Sequence, residues 1–372
     1  MSSGNNERHA QFSNRFERVR AAMDAQGIDY LLIGPSTDMV YLIDFPVRQS
    51  ERLTMLVIAR DGPTRLVMPG FELPRLSALP PVFEPVPWDD GENAAARLVS
   101  LLRDGGSGAT IGVGGQMFSQ FLMRVQEEAP AASYVDGDRV MAPLRMRKSA
   151  YEAEALQAAS RVADAVIEEI WASPVEGATE RELLQEIHRL LIDKGHESVG
   201  GGIVGFGANG ASPHHHVSDR RAQDGDAVVA DFGGVQAGYR SDITRTFHVG
   251  DPSDEFRRVY KIVDEANELA FQAVRPGIAA AQLDQIARSH ITDAGYGDAF
   301  LHRLGHGIGL DGHEPPYLVA GDETPLEEGM TFSIEPGIYL EGMFGVRIED
   351  IVVVTANGGR RLNESTHELK VV

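Results

Sequence analysis

The 372-residue chain has no cysteine, which excludes disulfides, thiolate-held zinc, iron–sulfur clusters and a thiol nucleophile. Any metal must therefore be held by His, Asp and Glu. Positive charge is scarce: 34 Lys and Arg stand against 55 Asp and Glu, a net charge of −21. That balance repels polyanions and argues against nucleic acid or an anionic membrane surface as a partner, leaving a small molecule or peptide as the better fit. Long apolar runs are missing too. Stretches such as Ile351–Val354 fall far short of a membrane span, and the polar opening MSSGNNERHAQFSNRFERVR has no apolar h-region, so the expected compartment is the cytoplasm. Neither a Walker loop nor a GxSxG elbow occurs. Gly112-Val113-Gly114-Gly115 fails the dinucleotide fingerprint because Met117 stands where the last glycine belongs, and His313-Glu314 opens no HExxH helix because Tyr317 is the fifth residue and Pro315-Pro316 intervene.

What remains is ordinary globular usage, 42% hydrophobic and 24% charged residues, in a chain longer than one core usually organises. Short apolar segments at Ile28–Ile33, Met39–Ile43, Leu53–Ile58, Thr64–Val67 and Ile111–Val113 read as strands, with a helix at Glu92–Leu102. Together they predict an N-terminal α/β domain over residues 1–147. The pattern changes at Ser149, where Ser149 with Glu152, and later Thr179 with Glu182, have capping-box spacing ahead of helical apolar stripes. Further helices are expected at 255–274 and 280–294. Gly177, Leu183, Leu191, Asp193 and Gly195 recur 100 residues on as Gly277, Leu283, Ile291, Asp293 and Gly295. Slightly larger offsets lay Asp231 over Glu335 and Asp242 over Glu349. Residues 148–372 are thus predicted to be an α+β domain of two halves related by a pseudo-twofold.

Asp231 ends the run Val228-Val229-Ala230, Glu335 follows Phe332 and Ile334, and Glu349 precedes Ile351–Val354. A carboxylate at the end of an apolar strand stays ionised only if it is paired, hydrogen-bonded or metal-bound. Singly each reads as an exposed strand end; with Asp242 and the His-rich loop around His306 in the same domain, they read as a metal centre. His188, His248 and His367 instead read as structural or solvated.

The blocks DFGG at Asp231, SDITRTF at Ser241, GHGIGLDGHE at Gly305, EPGIY at Glu335 and VRIED at Val346, in that order, resemble the pita-bread metallopeptidases, in particular the proline-specific branch of prolidases and aminopeptidases P. PSTDMVYLIDF at Pro35 resembles that branch's creatinase-like N-terminal domain. The resemblance implies that Asp231, Asp242, His306, Glu335 and Glu349 hold two divalent ions, with Asp242 and Glu349 bridging. Four carboxylates and one imidazole suit Mn²⁺ and tolerate Co²⁺, Fe²⁺ or Zn²⁺. Glu335 is expected to be ligand and proton acceptor, His302 a proton shuttle, His214 and His313 substrate-facing, and Arg347 and Tyr339 supports of the first metal site. The run His214-His215-His216 departs from the usual single His, which leaves the choice among the three open. The implied activity is hydrolysis of Xaa-Pro bonds in small peptides with proline second, by a homodimer. The compact length and the His cluster after Pro213 favour an Xaa-Pro dipeptidase over an Xaa-Pro aminopeptidase. A methionine aminopeptidase normally lacks so long an N-terminal domain, creatinase-like relatives lack the full ligand set, and a silent module that binds a partner protein has no need of it.

Overall fold

The computed structural model describes residues 3–372, with side chains from Phe12 onward except Ala78. The first two residues of the polar opening lie outside that range. Two compact units emerge, the first ending at Arg145 and the second spanning Met146–Val372.

The first unit contains α1 (Ser3–Gln26), β1 (Tyr30–Ile33), α2 (Thr37–Ile43), β2 (Met55–Ala59), β3 (Thr64–Pro69), β4 (Glu84–Trp88), α3 (Ala94–Val99), β5 (Thr110–Val113), α4 (Ser119–Glu128) and β6 (Ser133–Asp136), and ends within α5 (Asp138–Met146). Its mixed sheet runs β4-β3-β2-β1-β5-β6. The expectation of a strand at Met39–Ile43 is overturned, because the segment is the helix α2. Asp38, Met39, Tyr41, Leu42 and Ile43 are all buried, and Asp44 closes the turn at φ 55°. Burial on every side removes the polar alternation that would separate a strand from a short helix.

The second unit opens with α6 (Ala150–Trp171) and α7 (Glu180–Asp193), each started by the expected capping box. Then come β7 (Ser198–Phe206), β8 (Ala227–Gln236), β9 (Tyr239–Arg240) and β10 (Ile243–His248), forming the sheet β10-β8-β7 with β9 on β8. The motif repeats with α8 (Asp254–Ala273) and α9 (Ala280–Asp293), followed by β11 (Gly305–Gly307), β12 (Glu314–Leu318), β13 (Thr331–Ile334), β14 (Gly337–Leu340), β15 (Phe344–Arg347), β16 (Asp350–Thr355) and β17 (Gly358–Arg361). The second sheet is β12-β11-β13-β16-β17, with β14 and β15 as a separate ribbon. A bridge between Thr244 and Glu349, closed by the Glu349 amide on the Thr244 carbonyl at 3.0 Å, joins the halves.

Each half buries its helices on its own sheet. Ile167, Ile170, Leu183, Ile187 and Leu191 pack on Val228, Ala230 and Phe232 in the first. Val259, Val263, Leu283, Ala287 and Ile291 pack with Phe332, Ile334, Val346 and Ile348 in the second. These side chains are essentially inaccessible, so truncating one such as Phe332 costs about 3–5 kcal/mol. The result is the α+β pita-bread architecture in two related halves.

Candidate metal centre

Strand alternation delivers the acids. Val228, Ala230 and Phe232 on β8 face the helices, so Asp231 faces the opposite side; Phe332 and Ile334 on β13 do the same for Glu335, and Val346 and Ile348 for Arg347 and Glu349. On β10, Thr244 stands directly across from Asp231, with Asp242 two residues before it. His306, the middle residue of β11, lies between β12 and β13.

One oxygen each of Asp242 and Glu349 and one ring nitrogen of His306 lie within 4.8 Å of one another. His306 Nε2 is 3.2 Å from Glu335 Oε1 and 4.0 Å from Asp242 Oδ2. Its Nδ1 faces the Gly307 carbonyl at 3.1 Å, which turns Nε2 toward the acids. Asp231 accepts from Arg347 Nη2 at 2.5 Å. Arg347 also donates to the Tyr339 hydroxyl at 2.7 Å and to Thr244 Oγ1 at 3.1 Å, and Thr244 in turn donates to Glu349 Oε2 at 2.7 Å. Of the five expected ligands, Asp242, His306 and Glu349 thus share one cluster, Glu335 adjoins it at His306, and Asp231 is joined to it through Arg347 and Thr244.

The electrostatics are those of a crowded anionic cage. Burial pushes Asp242 up to about 8, with the Asp231 charge the next contribution. Burial, then Asp242, Glu335 and Asp231, raises Glu349 well above the usual carboxyl range, and burial raises Asp231 against the pull of Arg347. Burial would raise Glu335 as well, yet the hydrogen bond and charge of His306 bring it down to about 2. Oxygen-rich donors that repel one another at this spacing fit a divalent cation, which is what offsets such repulsion in a buried site.

His302 Nε2 lies 2.8 Å from the Tyr339 hydroxyl and its Nδ1 2.7 Å from the Arg303 carbonyl. Burial lowers the His302 pKa. The His313 ring packs edge-on against His306 at 3.9 Å between centroids, and partial burial followed by the His306 charge pushes it down to about 4. His214 is exposed and lies in the turn directly after Pro213. His215 turns away and binds Glu180 Oε2 at 2.8 Å. Of the remaining histidines, His367 sits between Asp264 and Asp350, and His248 caps its strand on the Gly250 carbonyl.

Sequence reasoning missed three supports. Ser333 Oγ accepts from the His306 amide at 3.0 Å and donates to Glu335 at 3.0 Å. Thr244 links Arg347 to Glu349 as above. Fully buried Arg245 donates to the Glu349 carbonyl at 2.5 Å and to Asp350 at 2.7 Å. Thr244 and Arg245 lie inside the SDITRTF block and Ser333 two residues before EPGIY; strand alternation puts Thr244 on the face of Asp242 and Ser333 on that of Glu335, but only the folded register shows which acid each touches.

Residues 154–356 match the model for metallopeptidase family M24, and residues 15–147 the model for the creatinase/prolidase N-terminal domain. The chain is 38% identical to the "Probable dipeptidase PepE" of Mycobacterium tuberculosis over 365 residues, 97% of this chain and 96% of that one. It is 42% identical to the "Xaa-Pro dipeptidase" of Pyrococcus furiosus over 265 residues, 70% and 75% of the two chains. Among solved structures it is similar to dipeptidase PepE of Mycobacterium ulcerans, with a TM-score of 0.94, 42% identity and 98% of both chains covered.

Proposed function

The chain belongs to metallopeptidase family M24, and on that premise we propose that it is a metal-dependent Xaa-Pro dipeptidase that releases proline from small peptides. The observation that carries the reading is the convergence of acids from both halves on His306, in a chain 42% identical to an enzyme named for that substrate. Asp231, Asp242, His306, Glu335 and Glu349 would hold two divalent ions, with Mn²⁺ best suited to the hard donor set and Co²⁺, Zn²⁺ or Fe²⁺ tolerated. When bound, the ions polarise the scissile carbonyl and lower the pKa of water.

The chain's own residues do the rest. Ionised Glu335 takes a proton from the attacking water and hands it toward the proline nitrogen. Tyr339 accepts from Arg347 and donates to His302 Nε2, which keeps His302 neutral and able to move a proton beside Glu335. Arg347 neutralises Asp231 and fixes its orientation. His214 and His313 stand where the substrate enters. A free carboxylate on proline needs a cation or several N–H donors, and these two histidines supply them. The Xaa-Pro bond is a tertiary amide without N–H, so recognition rests on such end contacts. Residues 1–147 form the N-terminal domain and 148–372 the catalytic one; the protein acts as a homodimer in the cytoplasm. No helix among the described residues is long and apolar enough to cross a membrane. The test is kcat/KM on Ala-Pro against Ala-Pro-Ala: a preference for the dipeptide is expected, and a clear preference for the tripeptide reassigns the enzyme as an Xaa-Pro aminopeptidase.

A further inference from the structure

Glu180, the first residue of α7, has a side chain with no solvent exposure. A buried carboxylate needs its lone pairs filled, and this one is met by five donors. Oε1 accepts from the Phe206 amide at 2.9 Å and from Asn209 Nδ2 at 2.8 Å. Oε2 accepts from the Ser218 amide at 2.8 Å and the Ser218 hydroxyl at 2.6 Å, and faces His215 Nε2 at 2.8 Å. The donors are not spread over the fold. They come from the last residue of β7 and from the first part of the connection that leads to β8, all within the segment 206–218.

That segment carries Pro213 and His214. Its carbonyl at Pro213, next to His214, takes a hydrogen bond from Arg347 Nη1 at 3.4 Å, which ties the segment to the arginine that holds Asp231. Gly210 in the same segment packs so closely on β15 that a Cβ on Gly345 would run into the Gly210 carbonyl. His215 cannot face the substrate while it is held by Glu180, which leaves His214 and His216 as the histidines of the run that are free of that contact. One carboxylate thus ties together both ends of the thirteen-residue segment 206–218 and holds His215 inside it.

We infer that Glu180 is a positioning residue that acts through His214, fixing the 206–218 segment so that His214 meets the substrate. The inference rests on the Xaa-Pro reading only for its kinetic arm. The Glu180→Gln amide keeps one acceptor but presents N–H to donors already crowded around it, at nearly unchanged size. The experiment combines hydrogen–deuterium exchange of residues 206–218 in the metal-loaded variant with a double-mutant cycle against His214→Ala, read as KM and kcat on Ala-Pro. Exchange in the segment is expected to speed up while the cores of both halves stay protected. KM should rise about 10-fold with kcat and metal content changed less than about 3-fold, and the Gln variant should add no further KM change in the His214→Ala background. Unchanged exchange in 206–218, or KM effects that add in the double variant, overturns the inference. Loss of exchange protection throughout the unit also overturns it, since Glu180 would then hold the fold and not the segment. An absence of Ala-Pro turnover in the unsubstituted protein sinks the substrate reading instead, and the exchange arm still decides the anchoring.

Discussion

In the first half of Met146–Val372, Gly177 turns at φ 82° before α7 and Gly195 at φ 120° after it; in the second, Gly277 and Gly295 frame α9 at 86° and 91°. The pairing of Thr179 with Arg221 recurs as Ala279 with Pro325. Asp231 and Glu335 hold matching strand positions, each three residues after one that pairs with an earlier, neighbouring strand of its sheet: Val228 pairs with Phe206, and Phe332 with Gly307. That register lays His306 over Gly205. The halves differ where the chemistry is. One supplies an imidazole where the other has no side chain. Arg347 is buried among the acids, whereas its counterpart Arg240 reaches out to the Leu310 carbonyl. Glu180 anchors a segment where the second half has Ala280. Duplication therefore accounts for the scaffold and for the four acids; the non-equivalent residues turn a symmetric cage into a site with direction.

The largest expected effects test the equivalence. Asp242→Asn and Glu349→Gln, one from each half, should each lower kcat/KM on Ala-Pro by a factor on the order of 10³ or more. If one variant were nearly silent while the other was dead, the halves would not share the site as matching partners. Next comes the asymmetry. Arg347→Lys loses the fork that holds Asp231, Tyr339 and Thr244 together and should cost about 10- to 100-fold in activity or metal affinity. Arg240→Lys should change either by less than about 3-fold. Equal losses at the two positions would show that burial of the guanidinium is not what separates them.

A smaller effect concerns stability in acid. Glu180, despite burial that opposes ionisation, is held at about 2 by Ser218, Phe206, His215 and Asn209. A carboxyl depressed from its usual 4.5 contributes stability that is complete above about pH 4.5 and is lost as pH falls toward about 2. Denaturant unfolding followed across that window should show a steeper acid loss in the unsubstituted protein than in Glu180→Gln. A parallel pH dependence in the two would remove Glu180 from the account. The smallest effect is at the helix starts. Thr179 caps α7 on the Glu182 amide at 3.1 Å, while Ala279 offers α9 no hydroxyl and keeps only the return bond to Gln282. Thr179→Ala should cost about 1 kcal/mol, and Ala279→Ser should gain a similar or smaller amount, read from urea midpoints.

The candidate ligands could be named from the sequence because a metal site written in strand blocks needs particular residue types at fixed strand positions, and those positions alternate with core residues that are legible too. The capping boxes at Ser149 and Thr179 declared their helices for the same local reason. Met39–Ile43 was misread because a short segment buried all round carries no period. Thr244, Ser333 and Arg245 could not be read because hydroxyls and a guanidinium are common on strands, and only the folded register shows which acid each touches. Glu180 looked like an ordinary first-turn acid on α7; its partners lie 26 to 38 residues away, beyond the reach of any local pattern.

The central claim is that two duplicated halves jointly build one metal centre, and metal binding by chelator-stripped protein tests it most directly. Calorimetric titration with Mn²⁺ should give two sites per chain in the unsubstituted protein, with at least one lost in Asp242→Asn and likewise in Glu349→Gln. Full stoichiometry and unchanged affinity in either variant would contradict the claim, because the acid from that half would then not belong to the centre.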